Sequence, residues 1–226
     1  MTCVVALLAR STSDPRTKAR LAPRIPSDDG RRDLALAFLD DLVDRCRALP
    51  DVAVRLAVTP PVEGMRFERP GWPGEVFVPQ RGATLGERQR HVLDDLATSG
   101  FTRVVMIRSN IPDLPIEHLQ RSFAALDANA VTVVVGPSDD GSCYLIGASV
   151  RAGVVPDIVS SVRWGSPYEV DDIKAAATDL GLAIVPLETW NAVTVPGDLD
   201  GLAGRLRYAP GAAPHTAAVL KTLGLI

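Results

Sequence analysis

The first stretch of this sequence that could do chemistry is a cationic segment, R-S-T-S-D-P-R-T-K-A-R, near the N-terminus. Its basic residues stand among turn-forming serine, aspartate and proline, directly after an apolar run: Arg10, Arg16, Lys18 and Arg20. Arginine and lysine side chains both pair with phosphate oxygens. The segment therefore predicts a phosphate-binding loop, while a solvated basic loop is the alternative that charge alone leaves open.

A second candidate lies where the apolar run Val104 to Ile107 ends and Arg108, Ser109 and Asn110 follow. In open α/β sheets, ligands bind beyond the carboxyl ends of the strands. Two prolines follow and stiffen the connection before the next helix. These polar residues are predicted to line a ligand site, with an ordinary strand exit as the alternative.

Two further stretches combine glycine with polar side chains. The loop Gln80 to Arg88 contains Gly82 and Gly86, and glycine lets a backbone approach a ligand closely. The turn that starts at Gly136 contains Asp140, and a positioned carboxylate can orient or deprotonate a hydroxyl group. An aspartate at a turn also caps its own backbone, so a structural role stays open.

The elements that must position these residues alternate between strand and helix. The predicted strands are Cys3 to Ala9, Val52 to Val58, Val76 to Val78, Val104 to Ile107, Val131 to Val135, a short run after Cys143, and Ala183 to Pro186. The predicted helices are Asp33 to Leu49, one that ends near Ser99, Glu117 to Leu126, Asp171 to Leu180, Leu199 to Leu206 and Thr216 to Leu223. This alternation predicts an α/β fold with a mainly parallel, doubly wound sheet.

Length and composition favour one domain. The 226 residues are 46% apolar, which is enough for a continuous core. We predict a single domain over 1–226, with 200–226 as a C-terminal helical extension. A formal net charge of -3 argues against nucleic acid as the main partner.

The cysteines and the N-terminus indicate where the protein works. Cys3, Cys46 and Cys143 are widely spaced and odd in number, which fits neither a disulfide framework nor a zinc site built on cysteine pairs. The N-terminal apolar run is too short for a membrane span. We therefore predict a cytoplasmic protein without membrane association.

Several sequence blocks occur in an order that resembles one family. The blocks are A-R-S-T-S-D-P-R-T-K-A-R-L-A-P, Q-R-G-A-T-L-G-E-R, I-R-S-N-I-P-D-L-P, G-P-S-D-D-G-S-C-Y-L-I-G, R-W-G-S and A-V-T-V-P-G-D-L. The resemblance is to the small glycosyltransferase-A-like proteins of the DUF2064 group, also called radical-SAM/selenodomain-associated transferases. More distantly, the chain resembles nucleotidyltransferases that make molybdenum-cofactor dinucleotides or guanylylate phospholactate. The resemblance implies a nucleotide-diphospho-sugar transferase fold of glycosyltransferase-A type.

The resemblance also implies roles for individual positions. Residues that match or adjoin the family's nucleotide- and phosphate-binding positions are Arg10, Arg16, Lys18, Arg20, Gly86, Arg88, Ser109 and Asn110. The acceptor side would be lined by Gly141, Tyr144, Trp164 and Ser166. The catalytic candidates are Asp140 and Arg108.

The chain departs from the family where a metal ion would bind. Asn110 stands in place of the expected metal-binding aspartate, and Thr84 replaces another aspartate. Later in the chain, Ala192 and Thr194 replace two further acids. Mg²⁺ and Mn²⁺ need hard oxygen donors, usually with carboxylates, so metal affinity should be low. Arg108 could take over part of the cation's role by pairing with phosphate, or it could be an arginine acquired after activity was lost.

The leading hypothesis is a nucleotide-sugar-dependent transferase that acts on a small-molecule acceptor without a metal ion. Its predicted partners are a nucleotide or nucleotide sugar and that acceptor, with no tightly bound cofactor. One alternative is an inactive relative that binds a ligand or a partner protein, and another is a nucleotidyltransferase for a phosphorylated small molecule. An open cleft lined by Arg108, Lys18 and Asp140 would favour catalysis, whereas a plugged cleft would favour the inactive relative.

Overall fold

One seven-stranded sheet organises the residues described by this computed structural model, which are 2–12, 14–59, 77–127 and 132–226. The strands are β1 (Cys3–Arg10), β2 (Val52–Thr59), β3 (Phe77–Pro79), β4 (Arg103–Arg108), β5 (Thr132–Pro137), β6 (Cys143–Ser149) and β7 (Ala183–Pro186). The central strands β4, β5 and β6 are almost wholly buried, as expected where both faces of a sheet are covered.

The strands lie in the order β3-β2-β1-β4-β6-β5-β7, and every neighbouring pair is parallel except those that involve β6. β6 follows β5 after a short turn, and a short connection can join only antiparallel neighbours. The predicted mainly parallel sheet is confirmed, while the reversal at β6 was not predicted. The carboxyl ends of β1 to β5 and the amino end of β6 therefore meet at one edge.

Helices cover both faces of the sheet. They are α1 (Asp28–Arg47), α2 (Leu85–Thr98), α3 (Ile116–Asp127), α4 (Glu169–Asp179), α5 (Pro196–Tyr208) and α6 (Pro214–Thr222). Apolar residues of α2 and α4 pack on one face, and those of α1 and α3 pack on the other. The predicted doubly wound α/β fold is confirmed. Within the described ranges, no helix is long and apolar enough to cross a bilayer.

Helix boundaries differ from the predicted ones where a cap decides them. α1 begins at Asp28 rather than Asp33 because the Ser27 hydroxyl accepts a hydrogen bond from the Gly30 N–H at 3.0 Å. The connection predicted from Val62 onward, with Trp72, lies largely outside the described residues. Its last part forms β3, one residue later than predicted.

The C-terminal helices α5 and α6 pack against α1 in a third apolar cluster, which includes Phe38 and Leu202. The buried carboxylate of Asp41 on α1 anchors α6. It accepts hydrogen bonds from the backbone N–H groups of His215 and Thr216, both at 2.9 Å, and from the Thr216 hydroxyl at 2.6 Å. Since first-turn N–H groups have no partner inside their own helix, Asp41 caps α6 from a distant part of the chain.

Replacing Asp41 by alanine is expected to destabilise the protein by about 2–3 kcal/mol, because three donors lose a buried charged acceptor. The free energy of unfolding in urea measures this loss. The matched control is Asp44→Ala, since Asp44 is exposed on the same helix and contacts the His215 ring at 3.0 Å. The control should lose less than about 1 kcal/mol. Equal losses in the two variants would contradict the capping role.

Candidate functional site

The carboxyl ends of β1 to β4 open onto a cleft of about 270 Å³, which we call the first cleft. Its walls come from these strand ends and from the first turns of α2: Leu8, Ala9, Arg10, Thr59, Gln80, Leu85, Arg88, Gln89, Arg108, Ser109 and Asn110. Of the predicted site residues, the fold therefore brings together Arg10, Arg88, Arg108, Ser109 and Asn110.

Asp14 holds two of the predicted phosphate-binding arginines. Its carboxylate accepts hydrogen bonds from Arg10 Nη1 at 2.8 Å and from Arg16 Nε and Nη2 at 3.1 and 2.9 Å. Hydrogen bonds from Arg16 and Arg10 hold the pKa of the Asp14 carboxyl well below its usual range, although burial opposes them. The three side chains form a fixed unit with one excess positive charge beside the first cleft.

Arg88 forms no ion pair with any residue that the structure describes. Its Nη1 donates to the carbonyl oxygens of Gly82 and Ala83 at 3.4 and 3.1 Å, and its buried Nε lacks a partner within the described ranges. Burial, followed by the positive charges of Arg10 and Arg16, lowers the pKa of Arg88. A desolvated arginine repelled by like charges is well placed to bind an anion.

Arg108, at the end of β4, pairs with a carboxylate that sequence analysis missed. Its Nη2 donates at 2.5 Å to Oε2 of Glu169, a side chain with 0% exposure at the start of α4. The same carboxylate accepts the backbone N–H groups of Cys143 at 2.9 Å and Gly165 at 2.7 Å. Glu169 therefore ties β4, β6 and α4 together, and it compensates the charge of Arg108 before any ligand binds.

Among the residues that the structure describes, the first cleft carries an excess of two positive charges. Of these residues, four arginines lie in the cleft or one ion pair away, and two carboxylates compensate them: Arg10, Arg16, Arg88 and Arg108 against Asp14 and Glu169. This excess equals the formal charge of Mg²⁺. Because these cations are positioned before an anion arrives, less free energy is spent on ordering them when it binds.

Two of the positions at which the resemblance implies acids, Asn110 and Thr194, contact each other. Asn110 Nδ2 donates to Thr194 Oγ1 at 3.3 Å, and the neighbouring Val193 N–H donates to the Asn110 carbonyl at 2.7 Å. The buried Oδ1 of Asn110 has no partner among the described residues. A hydrogen bond between two neutral side chains therefore lies where the resemblance implies two carboxylates.

These donors do not fit Mg²⁺ or Mn²⁺. Asn110 and Thr194 supply only neutral oxygens, and Ala192 supplies none. Thr84, the fourth replaced acid, caps α2 by accepting the Glu87 N–H at 3.1 Å. In the part of the chain that the structure describes, no group of three or more His, Cys, Asp and Glu side chains could hold a metal ion.

A second cleft, of about 330 Å³, lies beyond the end of β5. It is lined by Ser138, Asp139, Asp140, Asn191, Ala192, Gly197, Asp198, Gly201 and Arg205. The two clefts adjoin, because Ala192 lines the second while the next residue is hydrogen-bonded to Asn110 in the first. Arg205 is held there by the buried carboxylate of Asp113, 2.8 Å from both its Nε and its Nη2.

The predicted catalytic carboxylate, Asp140, lines the second cleft and not the first. It is exposed, and its Oδ1 accepts the Ser142 N–H at 3.0 Å, so it also caps its own turn. Gly141 adopts φ +78°, and a Cβ there would lie 2.1 Å from the Pro167 carbonyl oxygen. Glycine is therefore required to bring this turn against the segment before α4.

Lys18 and Arg20 do not line the first cleft. Lys18 has a left-handed backbone with φ 54°, and its Nζ lies 4.2 Å from the centre of the Phe38 ring. Arg20 is exposed on the short 3₁₀ turn Ala19–Leu21. Neither side chain forms an ion pair with a described residue, so the phosphate-binding role implied for them is not supported by their positions.

Replacing Lys18 by methionine is expected to change how stability depends on pH. Burial lowers the pKa of Lys18 to about 7 from its ordinary value of 10.5, even though the Phe38 ring favours the ammonium. Between these values the unfolded chain binds more protons, so the cost of burying Lys18 decreases as pH rises. Lys18→Met should therefore stabilise the protein most below about pH 7 and least above about pH 10. Urea unfolding across this range measures the difference.

The control for this prediction is Lys221→Met, because Lys221 is exposed on α6. Its stability difference from the wild type should stay constant over the same pH range. A constant difference for Lys18→Met as well would contradict the prediction.

Gly86 serves packing rather than contact with a nucleotide. A Cβ at Gly86 would lie 3.0 Å from the Val159 carbonyl oxygen and 3.2 Å from Trp164 Nε1. The residue does not line the first cleft. Its small size lets α2 lie against the segment before α4, which is a correction to its predicted role.

The prediction that Tyr144 lines the acceptor side is wrong, since Tyr144 is fully buried in the core. Its hydroxyl lies 2.6 Å from His118 Nδ1 and donates to the Glu188 carbonyl oxygen at 2.8 Å. Trp164 donates its indole N–H to the Val159 carbonyl at 2.9 Å, and Ser166 Oγ donates to a backbone carbonyl at 2.6 Å. These residues support the fold beside the clefts but line neither of them.

Sequence reasoning missed two glutamines of the first cleft as well as Glu169. Gln80 Nε2 donates to the carbonyl oxygens of Ala9 and Ala57 at 3.2 and 2.6 Å. Gln89 is 2% exposed and occupies a position on the apolar face of α2. A polar residue at an apolar position was a detectable signal. Glu169 gave no such signal in the sequence, because acidic residues are common in the first turn of a helix.

Residues 42–166 match the sequence profile of DUF2064, a family described as an uncharacterized protein conserved in bacteria. No curated protein matches the chain. A protein from Desulfovibrio desulfuricans G20, proposed to be a nucleotide-diphospho-sugar transferase, is 25% identical to it. The two structures superimpose with a TM-score of 0.84 over 98% of this chain and 94% of the other.

Two more distant structures share the fold. A cytidylyltransferase from Leptospira borgpetersenii serovar Hardjo-bovis is 13% identical, with a TM-score of 0.57 over 100% of this chain and 97% of its own. A CMP:2-keto-3-deoxy-manno-octonic acid synthetase in complex with CTP is 13% identical, with a TM-score of 0.53 over 92% and 100%. The predicted nucleotide-diphospho-sugar transferase fold is confirmed.

Proposed function

The chain belongs to the DUF2064 family, and we propose that it is a nucleotide-sugar-dependent transferase that acts on a small-molecule acceptor. The observation that carries the proposal is the excess of two positive charges among the described residues of the first cleft, at the carboxyl edge of a nucleotide-diphospho-sugar transferase fold. The Desulfovibrio protein, proposed to be a nucleotide-diphospho-sugar transferase, shares the fold along nearly its whole length and supports the proposal.

The sheet order suggests how the donor lies in the first cleft. Thr59 and Gln80 line the β2 and β3 side, whereas Arg108 lines the β4 side. Neighbouring strands are about 4.8 Å apart, so the cleft is long enough for a nucleoside and its phosphates. In the proposed complex, the base lies near Gln80 and the diphosphate lies near Arg10 and Arg88.

The arginines make the proposed binding independent of a divalent metal. The diphosphate pairs with Arg88, which has no carboxylate partner among the described residues, and with Arg10. Arg108, held by Glu169, keeps guanidinium N–H groups available for hydrogen bonds without adding net charge. The Asn110–Thr194 hydrogen bond takes the place of metal-binding acids.

The second cleft is the proposed acceptor site, because it adjoins the first and contains Asp140. In the proposed reaction, an acceptor hydroxyl attacks the anomeric carbon of the sugar, and Asp140 takes the hydroxyl proton. The bond from that carbon to the phosphate oxygen breaks. The nucleoside diphosphate leaves with its added negative charge opposite Arg10 and Arg88.

A thermal-shift screen of nucleoside diphosphates and nucleotide sugars, with EDTA or with Mn²⁺, tests donor binding. Stabilisation by one of them in EDTA is expected, and stabilisation by none would overturn the proposal. The first cleft is open, which favours catalysis over an inactive relative, although Lys18 does not line it and Asp140 lies in the second cleft. Binding without turnover of any acceptor would favour the inactive relative.

A further inference from the structure

Gln89 is a largely covered polar side chain that lines the first cleft. It projects from α2, is 2% exposed, and stands on the same helix face as Val92 and Leu93. Its amide forms no hydrogen bond with any residue that the structure describes. Gln89 nevertheless lines the first cleft, so the unpaired amide borders the space in which the proposed nucleotide sugar would lie.

The Gln89 amide is available to a ligand. Its polar atoms are not among the buried unpaired atoms of the described residues, so they reach the cleft although most of the side chain is covered. The neighbours of Gln89 at the base of the cleft are largely apolar and include Leu8 and Met106. Arg108 also lies there, but its guanidinium pairs with Glu169, so the Gln89 amide is open to a molecule in the cleft.

The place of Gln89 in the cleft narrows the choice of ligand group. It lies against Leu8 of β1 and Arg108 of β4, on the side away from Gln80, which is at the end of β3. In the proposed complex the base occupies the Gln80 side. The arginines, rather than a neutral amide, compensate the diphosphate. The remaining polar groups of a nucleotide sugar are the hydroxyls of its ribose and of its sugar.

A carboxamide is complementary to two adjacent hydroxyl groups. Its Oε1 accepts a hydrogen bond from one hydroxyl, while its Nε2 donates to the oxygen of the other. We propose that Gln89 binds a vicinal diol of the ligand, either the ribose 2′,3′-diol or a diol of the transferred sugar. This inference rests on the proposed function, since it assumes a nucleotide sugar in the first cleft.

The test compares the wild type with Gln89→Leu, whose side chain matches the apolar neighbours. Without ligand, the variant should have an unchanged or higher thermal midpoint, because the Gln89 amide forms no hydrogen bond with a described residue and leucine matches the apolar neighbours. The probe is whichever of ADP, CDP, GDP and UDP binds the wild type best, together with its 2′,3′-dideoxy form and its glucose and mannose conjugates. The control is Gln120→Leu, because Gln120 is exposed on α3; it should bind every probe as the wild type does.

The probes distinguish the two sources of the diol. If Gln89 binds the ribose, Gln89→Leu should bind the diphosphate about tenfold more weakly and the dideoxy form as well as the wild type does. If Gln89 binds the transferred sugar, only the affinity for a sugar conjugate should fall about tenfold. Wild-type affinity of the variant for every probe would overturn the inference alone. Failure of the wild type to bind any probe would overturn the proposed function and this inference together.

Discussion

Arg88→Met is expected to weaken binding of a nucleoside diphosphate about 30- to 100-fold, equivalent to about 2–3 kcal/mol. Arg88 lines the first cleft, has a buried Nε without a partner among the described residues, and forms no ion pair with them. The free protein should keep its stability, because Arg88 is repelled by Arg10 and Arg16 and methionine retains much of its apolar stem. Calorimetric titration in EDTA measures the affinity.

Two variants control this prediction. Arg88→Lys keeps the charge but loses the planar fork, so it should recover only part of the affinity. Arg81→Met removes an arginine that precedes α2 but points to Asp95, with which it forms an ion pair at 2.6 Å. It should bind like the wild type. Equal affinity of Arg88→Met and the wild type would show that Arg88 does not hold the phosphates.

The double variant Asn110→Asp with Thr194→Asp is expected to make the protein respond to a divalent metal. Asn110 and Thr194 are already within 3.3 Å through their side chains, so the two new carboxylates would face each other. Without metal they should repel and lower stability. Saturating Mn²⁺ should raise the thermal midpoint by about 5–10 °C, the shift expected for a ligand at roughly 100 times its dissociation constant.

The wild type provides the comparison for this second result. Its neutral amide and hydroxyl should give no such shift in Mn²⁺. The single variant Asn110→Asp keeps one hydrogen bond, because the Thr194 hydroxyl can donate to the new carboxylate, and should respond weakly. A wild-type shift as large as that of the double variant would refute the expectation that Asn110 and Thr194 do not hold a metal ion.

Much of the architecture could be predicted because it depends on local patterns. Apolar runs marked the strands, apolar residues at helical spacing marked the helices, and their alternation predicted a doubly wound sheet. The polar residues after β1 and β4 were also correctly placed at a common edge. Arg10, Arg108 and Asn110 therefore line one cleft, as strand direction requires.

Other features could not be predicted from the sequence, because they depend on contacts with residues that are distant in the chain. Arg108 looked like a free cation until the fold placed Glu169 beside it, 61 positions later. Tyr144 was predicted to line the acceptor side. It lies instead on the antiparallel strand β6 in the core, where its hydroxyl is hydrogen-bonded to His118. Lys18 lies in a cationic segment, but its left-handed backbone directs the amine to Phe38.

By itself, the sequence determined the fold and the sheet edge at which the candidate site lies, since side-chain periodicity and strand direction follow from local sequence patterns. The tertiary structure alone decided which charges are left uncompensated. Two carboxylates, Asp14 and Glu169, neutralise part of the arginine cluster, and Arg88 keeps its charge without an ion-pair partner among the described residues. The reason is that electrostatic interactions depend on distance and burial in space, which sequence separation does not reveal.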